Sequence, residues 1–443
     1  MKDLFAQEYK NTGKPNDYID CYYSRSLSDT TSYPQLDSEI STAVCVIGGG
    51  LAGISTALGL AQRGIKPVLV ESNRVGWGAS GRNGGFLAIG YSQCPLKLVK
   101  SVGVEHAKDL FGLTQSAYQL IQSRLKGVEK EITPAPHGIT VMSWFDDQTG
   151  VHSYVDKMND IFDAGYEFLP REKVREMYNT PRYYDGYLKP GLQINSLKYA
   201  RHTANMACEL GAQIFEKSGV EQVSKDSNGK WRVKTATGTV IADQIVYSCS
   251  AYIKGLHPKL ARATLPVATY VLLTEPLGDR MQEAIRVPYA ASDDRTSSNY
   301  YRPLADGRLL WGGRVSMFHP SQEKLKHIMM KDLLHVYPQL KGIKAEVAWG
   351  GHMGYAKHKM PQIGQLEPGV WHCQGFGGHG MCSTTVGGEA VAAAIAGSDE
   401  RYKLFAPFGL DYAGKPFGPI IAQSAYWGFQ AQDKIREWRL NRG

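Results

Sequence analysis

The stretch that decides the fold runs from Ala43 to Ser72 and reads AVCVIGGGLAGISTALGLAQRGIKPVLVES. Its apolar start, residues 43–47, predicts a buried strand. Residues 54–64 have the length and composition of a helix, and residues 66–70 are a second apolar run that predicts another strand. A strand, a glycine turn, a helix and a second strand are the parts of a nucleotide-binding unit.

The glycines of this stretch stand at positions where each has a physical role. Gly48, Gly50 and Gly53 have the spacing G-x-G-x-x-G. The first permits a tight turn, the second lets a pyrophosphate approach the backbone, and the third lets the helix pack closely on the strand. Glu71 ends the second strand, where an acidic side chain accepts hydrogen bonds from ribose hydroxyls. We therefore predict a dinucleotide site, because an ordinary glycine-rich turn would leave the position of Glu71 unexplained.

A second glycine-rich segment follows at residues 75–85 and reads VGWGASGRNGG. It offers many backbone N–H groups and little side-chain bulk, which suits a second contact with a pyrophosphate and close approach to a flat ring. A flexible surface loop is the alternative interpretation. Arg82 and Asn83 in the middle of the segment disfavour it, because a mere linker does not require them.

Three motifs carry a resemblance to a known family: GGGLAG at 48–53, GWGASGRNGG at 76–85 and GFGGHGM at 375–381. Together they resemble the D-amino acid oxidase/glycine oxidase superfamily of FAD enzymes, and within it the gamma-glutamylputrescine oxidase-like branch. The likeness extends from about Tyr22 to the C-terminus. It implies an α/β fold of two domains, a Rossmann-like FAD-binding domain of the glutathione-reductase type and a substrate domain with a largely antiparallel sheet.

The resemblance also implies FAD as the cofactor and the residues that hold it. Some relatives attach FAD to a Cys or a His. Here no histidine lies between Glu71 and Val104, and Met353 stands near the position of the attaching cysteine, so we predict noncovalent FAD. A helix from about Thr384 to Ala396 is expected to direct the positive end of its dipole at the flavin. The expected cofactor contacts are Gly48, Gly49, Gly50, Leu51, Ala52, Gly53, Glu71, Ser72, Arg74, Gly78, Ala79, Ser80, Arg82, Asn83, Gly84, Gly85, Val220, Ser250, Ala251, Gly377, Gly378, His379, Gly380 and Met381.

The chain is long enough for two domains, because 443 residues exceed one comfortable core. We expect residues 1–40 to form an extended N-terminal arm that packs on the enzyme. The FAD-binding domain is expected at 41–130, 196–265 and 350–443, and the substrate domain at 131–195 and 266–349. The division depends on strands predicted at 266–274, 299–303, 308–316 and 344–349 and on a helix predicted at 321–336.

Composition and charge describe a globular protein with a mildly basic surface. Hydrophobic residues make up 43% and charged residues 21% of the chain, and the formal net charge is +8. No block of lysine and arginine is present, so nucleic acid is not predicted as a partner. No apolar run reaches transmembrane length, the seven cysteines include no C-x-x-C pair, and His352 and His358 lack a third metal ligand at useful spacing. We therefore predict a cytoplasmic monomer or homodimer without a metal or a membrane span.

Two positions separate this sequence from relatives that oxidise N-methyl amino acids. Those relatives have a lysine two residues beyond the His-Gly pair of the last motif, where it binds the substrate carboxylate, and this chain has Cys382 there. The difference favours an amine without an adjacent carboxylate. The relatives also place a lysine over the flavin for oxygen activation, where the alignment puts Leu310, and this keeps a dehydrogenase open as an alternative.

The candidate catalytic and substrate-binding residues come from the last motif and from the substrate domain. His379, which lies between glycines, is expected beside the flavin or the amine, with a structural histidine as the alternative. Aromatic rings in the substrate domain can hold a cationic stem, and its cations can meet a distal carboxylate, although each is alternatively an ordinary sheet or surface residue. The expected catalytic residues are His379, Tyr300 and Tyr301, and the expected substrate residues are Tyr270, Arg302, Trp311, Arg314, Tyr355, Lys357 and Cys382.

These inferences predict an FAD-dependent amine oxidoreductase. A neutral amine would transfer a hydride from the carbon beside its nitrogen to flavin N5, the imine would hydrolyse to an aldehyde and an amine or ammonia, and O2 would reoxidise the flavin to give hydrogen peroxide. The predicted substrate is a gamma-glutamylated polyamine or a similar amine without an α-carboxylate. Two alternatives stay open: a dehydrogenase that passes electrons to a quinone or carrier protein, and a non-catalytic flavoprotein subunit.

Overall fold

The computed structural model describes residues 17–29, 31–296, 298–316, 320–414 and 418–440. Its helices are α1 Tyr22–Arg25, α2 Leu51–Gln62, α3 Pro95–Val102, α4 Val104–Arg124, α5 Glu129–Ile132, α6 Gln148–Phe162, α7 Arg171–Met177, α8 Ser196–Glu209, α9 Pro258–Ala263, α10 Arg280–Ala284, α11 Gln322–Val336, α12 Gly380–Ile395 and α13 Gly418–Leu440. Short 3-10 turns lie at Ala79–Gly81, Ser250–Tyr252, Pro338–Leu340 and Arg401–Phe405.

The strands divide between two large sheets and a small ribbon. They are β1 Glu39–Ile47, β2 Val68–Val70, β3 Phe86–Ala88, β4 Ile139–Met142, β5 Glu167–Leu169, β6 Gly186–Lys189, β7 Gly191–Gln193, β8 Gln213–Phe215, β9 Val220–Lys225, β10 Trp231–Thr235, β11 Thr239–Tyr247, β12 Leu265–Thr274, β13 Ala290–Asp293, β14 Tyr300–Pro303, β15 Leu309–Ser316, β16 Ala345–Tyr355, β17 Gln362–Glu367 and β18 Val370–Gln374.

The first sheet has the order β17-β18-β11-β1-β2-β8, with β10 and β9 attached to β11. β1 pairs in parallel with both β11 and β2, and parallel strands require cover from helices. Helices α2 and α12 pack so closely at Gly388 that a Cβ there would lie only 2.5 Å from the Cβ of Ser55. α2 begins at Leu51, three residues before the predicted start, since Gly50 is its N-cap. The predicted strand–turn–helix–strand unit is thus present.

The second sheet has the order β16-β12-β15-β14-β13-β4-β6-β5. Its pairs are antiparallel except β13 with β4, which run in parallel. A core of aromatic and aliphatic side chains fills the space between one face of this sheet and α11. β16 continues to Tyr355 and therefore crosses the domain boundary expected at 349/350, so the first residues of the last expected FAD segment pair within the second sheet.

The two ends of the chain pack on these sheets. In the N-terminal arm, of which residues 1–16 lie outside the described part, Tyr23 and Leu36 are fully buried. At the other end α13 lies beside the second sheet, with Tyr426 buried and Arg436 paired with Asp147 at 3.0 Å. Among the described residues no helix combines the length and the apolar character needed to cross a bilayer.

Candidate active site

One large cavity, of about 1290 Å³, is lined by loops of the first sheet and by one face of the second. Its lining includes Gly48, Gly50 and Glu71 from the nucleotide-binding unit and Tyr300 and Arg314 from the second sheet. Pockets for drug-sized ligands are roughly 300–1,000 Å³. This cavity therefore has room for a large cofactor together with a small substrate.

The glycine turn after β1 is built from contacts that exclude side chains. Gly48 has φ +111°, and a Cβ there would lie 2.9 Å from the carbonyl oxygen of Ser248. A Cβ on Gly53 would lie 1.9 Å from the carbonyl oxygen of Gly48. The N-cap Gly50 has no side-chain hydrogen bond at the start of α2. The N–H of Leu51 donates to Ser80 Oγ at 2.9 Å, so the next N–H groups of the first turn, with their partial positive charge, are those that a phosphate could meet.

Glu71 stands where the sequence predicted it, at the end of β2, and lines the cavity. Its carboxylate accepts hydrogen bonds from the backbone N–H of Gly49 at 2.6 Å and of Asn73 at 2.8 Å. The hydroxyl of Ser72 donates to it at 3.2 Å. Burial raises the pKa of Glu71, and these hydrogen bonds oppose that rise. The carboxylate thus fixes the glycine turn at the wall of the cavity.

The second glycine-rich segment is held in place by its own polar residues. The guanidinium of Arg82 lies over the ring of Trp77, 4.2 Å from its centroid, and donates from Nε to the carbonyl oxygen of Trp77 at 2.9 Å. Asn83 donates to the carbonyl oxygens of Ala79 and Ser80, at 3.0 Å each, and accepts from the N–H of Gly85. The segment is therefore a fixed structure that lines the cavity, which removes the surface-loop alternative.

The third motif forms the start of α12, four residues before the predicted start at Thr384, and makes His379 its N-cap. The N–H of His379 donates to Ser92 Oγ at 3.2 Å, and no side chain caps the helix. His379 is exposed to the cavity that it lines. Desolvation within the cavity, reinforced by the charge of Lys189, lowers the pKa of His379 to about 4. Its imidazole is therefore neutral at physiological pH.

The residues around the first two motifs fit FAD. The closely packed glycines leave space at the start of α2, and Ser80 Oγ accepts the N–H of Leu51 there at 2.9 Å. Ser248 Oγ, buried at the edge of the cavity, has no hydrogen-bond partner among the described residues. A helix terminus with open donors, an acidic ribose partner and a second glycine-rich loop match the parts of a dinucleotide.

Most of the expected cofactor residues line the cavity, and five lie behind it. Arg74 is turned away, because its Nε donates to Glu216 at 2.7 Å. Gly85 packs on the backbone of Ile194, where a Cβ would lie 2.3 Å from the carbonyl oxygen. The five are Gly49, Gly53, Arg74, Gly85 and Ala251. These five residues shape the turns that hold the other cofactor residues in the cavity wall, and we do not expect them to contact the cofactor directly.

The alternation of side chains along the second sheet corrects two of the expectations. Tyr300 lines the cavity, whereas Tyr301 points to the opposite face and is 0% exposed. There Tyr301 stacks on Trp311, with ring centroids 4.7 Å apart, and its hydroxyl lies 2.6 Å from that of Tyr337. Tyr301 and Trp311 therefore belong to the core against α11 and do not reach a substrate.

Four further substrate candidates also lie outside the cavity lining. Tyr270 is buried in the second-sheet core, and Lys357 is exposed at the surface. Arg302 is buried and donates to the carbonyl oxygen of Ile194 at 3.1 Å, behind the glycine-rich loop. Cys382 is buried inside α12, where its Sγ donates to the carbonyl oxygen of Thr114 at 3.1 Å.

Of the expected substrate residues, Arg314 and Tyr355 line the cavity. Arg314 is paired with Asp332 at 2.7 Å, so its charge is already compensated.

The lining also contains residues that the sequence did not single out. Tyr154, Tyr166, Tyr187 and Lys189 come from α6, the loop after it and β6. No motif marks them, because they come from separate segments that meet through the pairing of β5 with β6. The alternation Tyr187-x-Lys189 would have placed two of them on one face once the strand itself was recognised.

With this geometry in view, comparison with known proteins decides the family. A family model described as FAD dependent oxidoreductase matches residues 43–394. The chain belongs to this family. It is 30% identical to the gamma-glutamylputrescine oxidoreductase of Escherichia coli K12, over 88% of this chain and 92% of that protein. It is also 30% identical to the probable oxidoreductase OrdL of Haemophilus influenzae, over 95% of this chain and 98% of the relative.

A solved structure supports the fold. Glycine oxidase from Bacillus cereus superposes with a TM-score of 0.66 over 82% of this chain and 97% of its own, at 22% identity. The fold is therefore that of FAD enzymes with a Rossmann-like nucleotide-binding domain, as predicted. The chain is an FAD-dependent oxidoreductase, and FAD is its cofactor.

Proposed function

We propose that this chain oxidises the C–N bond of an amine that carries no carboxylate on the reacting carbon. The observation that carries the proposal is the large cavity in which the glycine-rich cofactor loops and one face of the second sheet meet. The similarity to gamma-glutamylputrescine oxidoreductase supports an acylated diamine as substrate. The overall change would be amine to imine, followed by hydrolysis of the imine to an aldehyde and ammonia.

The absence of an α-carboxylate is supported by the start of α12. Cys382 occupies the position where carboxylate-binding relatives are expected to have a lysine, and it is buried within the protein with its Sγ bonded to Thr114. Burial raises the pKa of the Cys382 thiol, so it carries no charge that a substrate could meet. A carboxylate beside the reacting carbon would find no cation at this position.

The chain's own residues would orient the amine and keep it neutral. Bound FAD would supply the acceptor for a hydride from the carbon next to nitrogen. His379, neutral because its pKa is lowered to about 4, can accept a hydrogen bond from the amine at the entrance of α12. Tyr300 presents its ring to the same cavity. The uncapped N-terminus of α12 would stabilise negative charge on a cofactor ring held nearby.

O2 is proposed as the electron acceptor, with hydrogen peroxide as its product. One observation favours a dehydrogenase as a second candidate: Leu310, at the position expected to hold an oxygen-activating lysine, is fully buried and outside the cavity lining. Oxygen consumption under steady-state turnover separates the two, because a dehydrogenase would need an added quinone or dye. We also propose a cytoplasmic location, since all seven cysteines are free thiols.

Anaerobic flavin reduction tests the proposal. The holoenzyme would be mixed with gamma-glutamylputrescine, N-acetylputrescine, sarcosine, glycine and D-alanine, and the reduction rate constant divided by the apparent dissociation constant compared. We expect gamma-glutamylputrescine or a related monoacylated diamine to give the highest ratio. A charge-assisted bond to a carboxylate contributes roughly 1.5–3 kcal/mol, so the amino acids should be about one to two decades poorer. An equal ratio for sarcosine or D-alanine would contradict the substrate class, and no bleaching by any amine would favour a non-catalytic subunit.

A further inference from the structure

Lys189 stands at the far end of the cavity face of the second sheet. It is the last residue of β6 and lies opposite Ile139 of β4, while Tyr187, two residues earlier, lies opposite Val141. All four line the cavity, in agreement with the alternation of side chains along paired strands. Lys189 is therefore directed into the space that a substrate would occupy.

The register of the sheet sets the separation between this end and the cofactor loops. Tyr300 pairs with Ser292, Ser292 with Val141, and Val141 with Tyr187, in one row across four strands. Three steps of roughly 4.8 Å place Tyr187 about 14 Å from Tyr300 along this row. Tyr300 itself packs against Gly84 of the second glycine-rich segment, where a Cβ would lie 2.5 Å from its ring. Lys189, two residues beyond Tyr187 on β6, is therefore separated from Tyr300 by the width of these strands, although its charge still reaches His379.

Within the described part of the chain, the charge of Lys189 is not paired with a carboxylate, unlike the charges of Arg295 and Arg314 in the same lining. Arg295 is paired with Asp293 at 2.7 Å, and Arg314 is paired with Asp332 at 2.7 Å. No carboxylate of the described residues is paired with Lys189, and burial alone lowers its pKa, to about 8. At pH 7 about nine-tenths of it is still protonated. A partly buried cation without a counter-ion is a ready partner for an anion from solution.

Aromatic rings pack around Tyr187, which lies two residues before Lys189 on the same face of β6. Tyr166 and Tyr187 stack with centroids 5.1 Å apart and planes 9° from parallel, and Tyr154 lies 5.6 Å from Tyr187. Asn159 fixes the loop through two hydrogen bonds of 2.8 Å with the backbone of Tyr166. Burial raises the pKa of each of these tyrosines, so their hydroxyls stay protonated and able to donate to an anion.

We propose that Lys189 is the specificity-determining residue that binds a carboxylate at the end of the substrate remote from the reacting amine, with Tyr154, Tyr166 and Tyr187 enclosing the chain between the two. This rests on the proposed amine oxidation. A diamine acylated by a carboxylate-bearing group has about ten bonds between its reacting carbon and its carboxylate. That length corresponds to three to four residue lengths of roughly 3.5 Å, comparable to the separation of about 14 Å between Tyr300 and Tyr187.

The test uses two ligands that cannot be oxidised because neither has an amine. N-butylglutaramate carries the carboxylate, and N-butylpentanamide is its carboxylate-free counterpart. Dissociation constants would be measured by calorimetry on the FAD-loaded protein and on Lys189→Met, Lys189→Arg and Lys157→Met. Lys157 is an exposed lysine on α6 outside the cavity lining, so its variant controls for loss of one positive charge. Lys189→Met should fold normally, because it removes a charge without a counter-ion.

We expect Lys189→Met to weaken N-butylglutaramate roughly ten- to a hundredfold and to leave N-butylpentanamide within about twofold. Lys189→Arg should retain most of the affinity and Lys157→Met all of it. Anaerobic reduction by gamma-glutamylputrescine should show a raised apparent dissociation constant with an unchanged limiting rate. Unchanged binding of N-butylglutaramate in Lys189→Met, or no binding to the unaltered protein, overturns the inference.

The same measurements separate this inference from the proposed function. If Lys189 binds N-butylglutaramate but no amine bleaches the flavin, the carboxylate site stands and the proposed reaction fails. If Lys189→Met weakens sarcosine as strongly as gamma-glutamylputrescine, the remote placement of the carboxylate is overturned.

Discussion

The cofactor side of the cavity is formed mainly by backbone, and the substrate side is formed mainly by side chains. On the cofactor side the contacts are made by backbone, and a Cβ on Gly53 would lie 1.9 Å from the oxygen of Gly48. On the substrate side the contacts are made by side chains on one face of a sheet, such as Tyr300, Tyr187 and Lys189. Backbone contacts leave no room for substitution, whereas side chains on a strand face can change one at a time. The first side is therefore expected to respond to mutation in an all-or-none manner and the second by degrees.

The largest expected effect is at Gly53. Gly53→Ala places a methyl group against the backbone of the turn, where neither partner is a flexible side chain. We expect a loss of more than about 3 kcal/mol in the unfolding free energy of the apoprotein or in FAD affinity, because overpacking of this kind exceeds the usual range. The ratio of flavin absorbance to protein absorbance and a thermal melt would measure it.

Gly112→Ala is the matched control for that change. Gly112 lies within α4 and has nothing within 4 Å of a Cβ. The same substitution there should stabilise the protein by about 0.5–1 kcal/mol, since glycine is unfavourable inside a helix. Full flavin content in Gly53→Ala would show that the turn can relax, and the contrast between backbone and side-chain sides would fail.

Glu71 lies on the cofactor side but acts through a side chain, so its expected effect is intermediate. Glu71→Ala leaves the N–H groups of Gly49 and Asn73 without their acceptor and removes the expected ribose partner. Each lost bond to a charged group is worth about 1.5–3 kcal/mol, so FAD occupancy of the purified protein should fall strongly. Glu71→Gln, which keeps an acceptor, should retain more flavin than Glu71→Ala. Equal and full occupancy in both variants would remove Glu71 from the cofactor site.

The same contrast explains what the sequence could reveal. The glycine motifs fix backbone geometry through residue identity, so the turn after β1, Glu71 and the segment 75–85 could be predicted in place. The substrate face depends on strand register, which the sequence does not state. Without it, Tyr300 and Tyr301 were equal candidates, and Trp311 was expected in a pocket although it is 0% exposed. Lys189 escaped notice because β6 was not predicted and because its neighbours come from α6 and the loop after it.

A pH titration of ligand binding tests the role of Lys189 on the substrate side of the cavity. Lys189 binds a carboxylate only while protonated, and burial lowers its pKa to about 8. The affinity of N-butylglutaramate should therefore change little between pH 6 and 7 and decline above about pH 8, by at most the ten- to hundredfold expected for Lys189→Met. His379, with its pKa lowered to about 4, and Tyr154, Tyr166 and Tyr187, with raised pKa values, should not titrate between pH 6 and 9.

Lys189→Arg separates this titration from that of other groups. Arginine remains charged, so the decline above pH 8 should vanish in this variant. A decline that persists in Lys189→Arg would assign the titration to a group other than Lys189.

The smallest expected effect distinguishes the two faces of a single strand. Tyr301→Phe removes a buried hydroxyl that lies 2.6 Å from the hydroxyl of Tyr337, and should lower the unfolding free energy by about 1 kcal/mol without changing flavin reduction. Tyr300→Phe changes the cavity face, so it should leave stability nearly unchanged and shift the apparent dissociation constant of the amine by roughly two- to tenfold. Urea unfolding and anaerobic stopped-flow reduction, run on both variants, measure the two effects. Adjacent residues with opposite phenotypes would follow from alternation alone, since one ring faces α11 and the other faces the cavity. If Tyr301→Phe slows reduction while stability is unchanged, the assignment of the two faces is wrong and the register of β14 against β15 must differ.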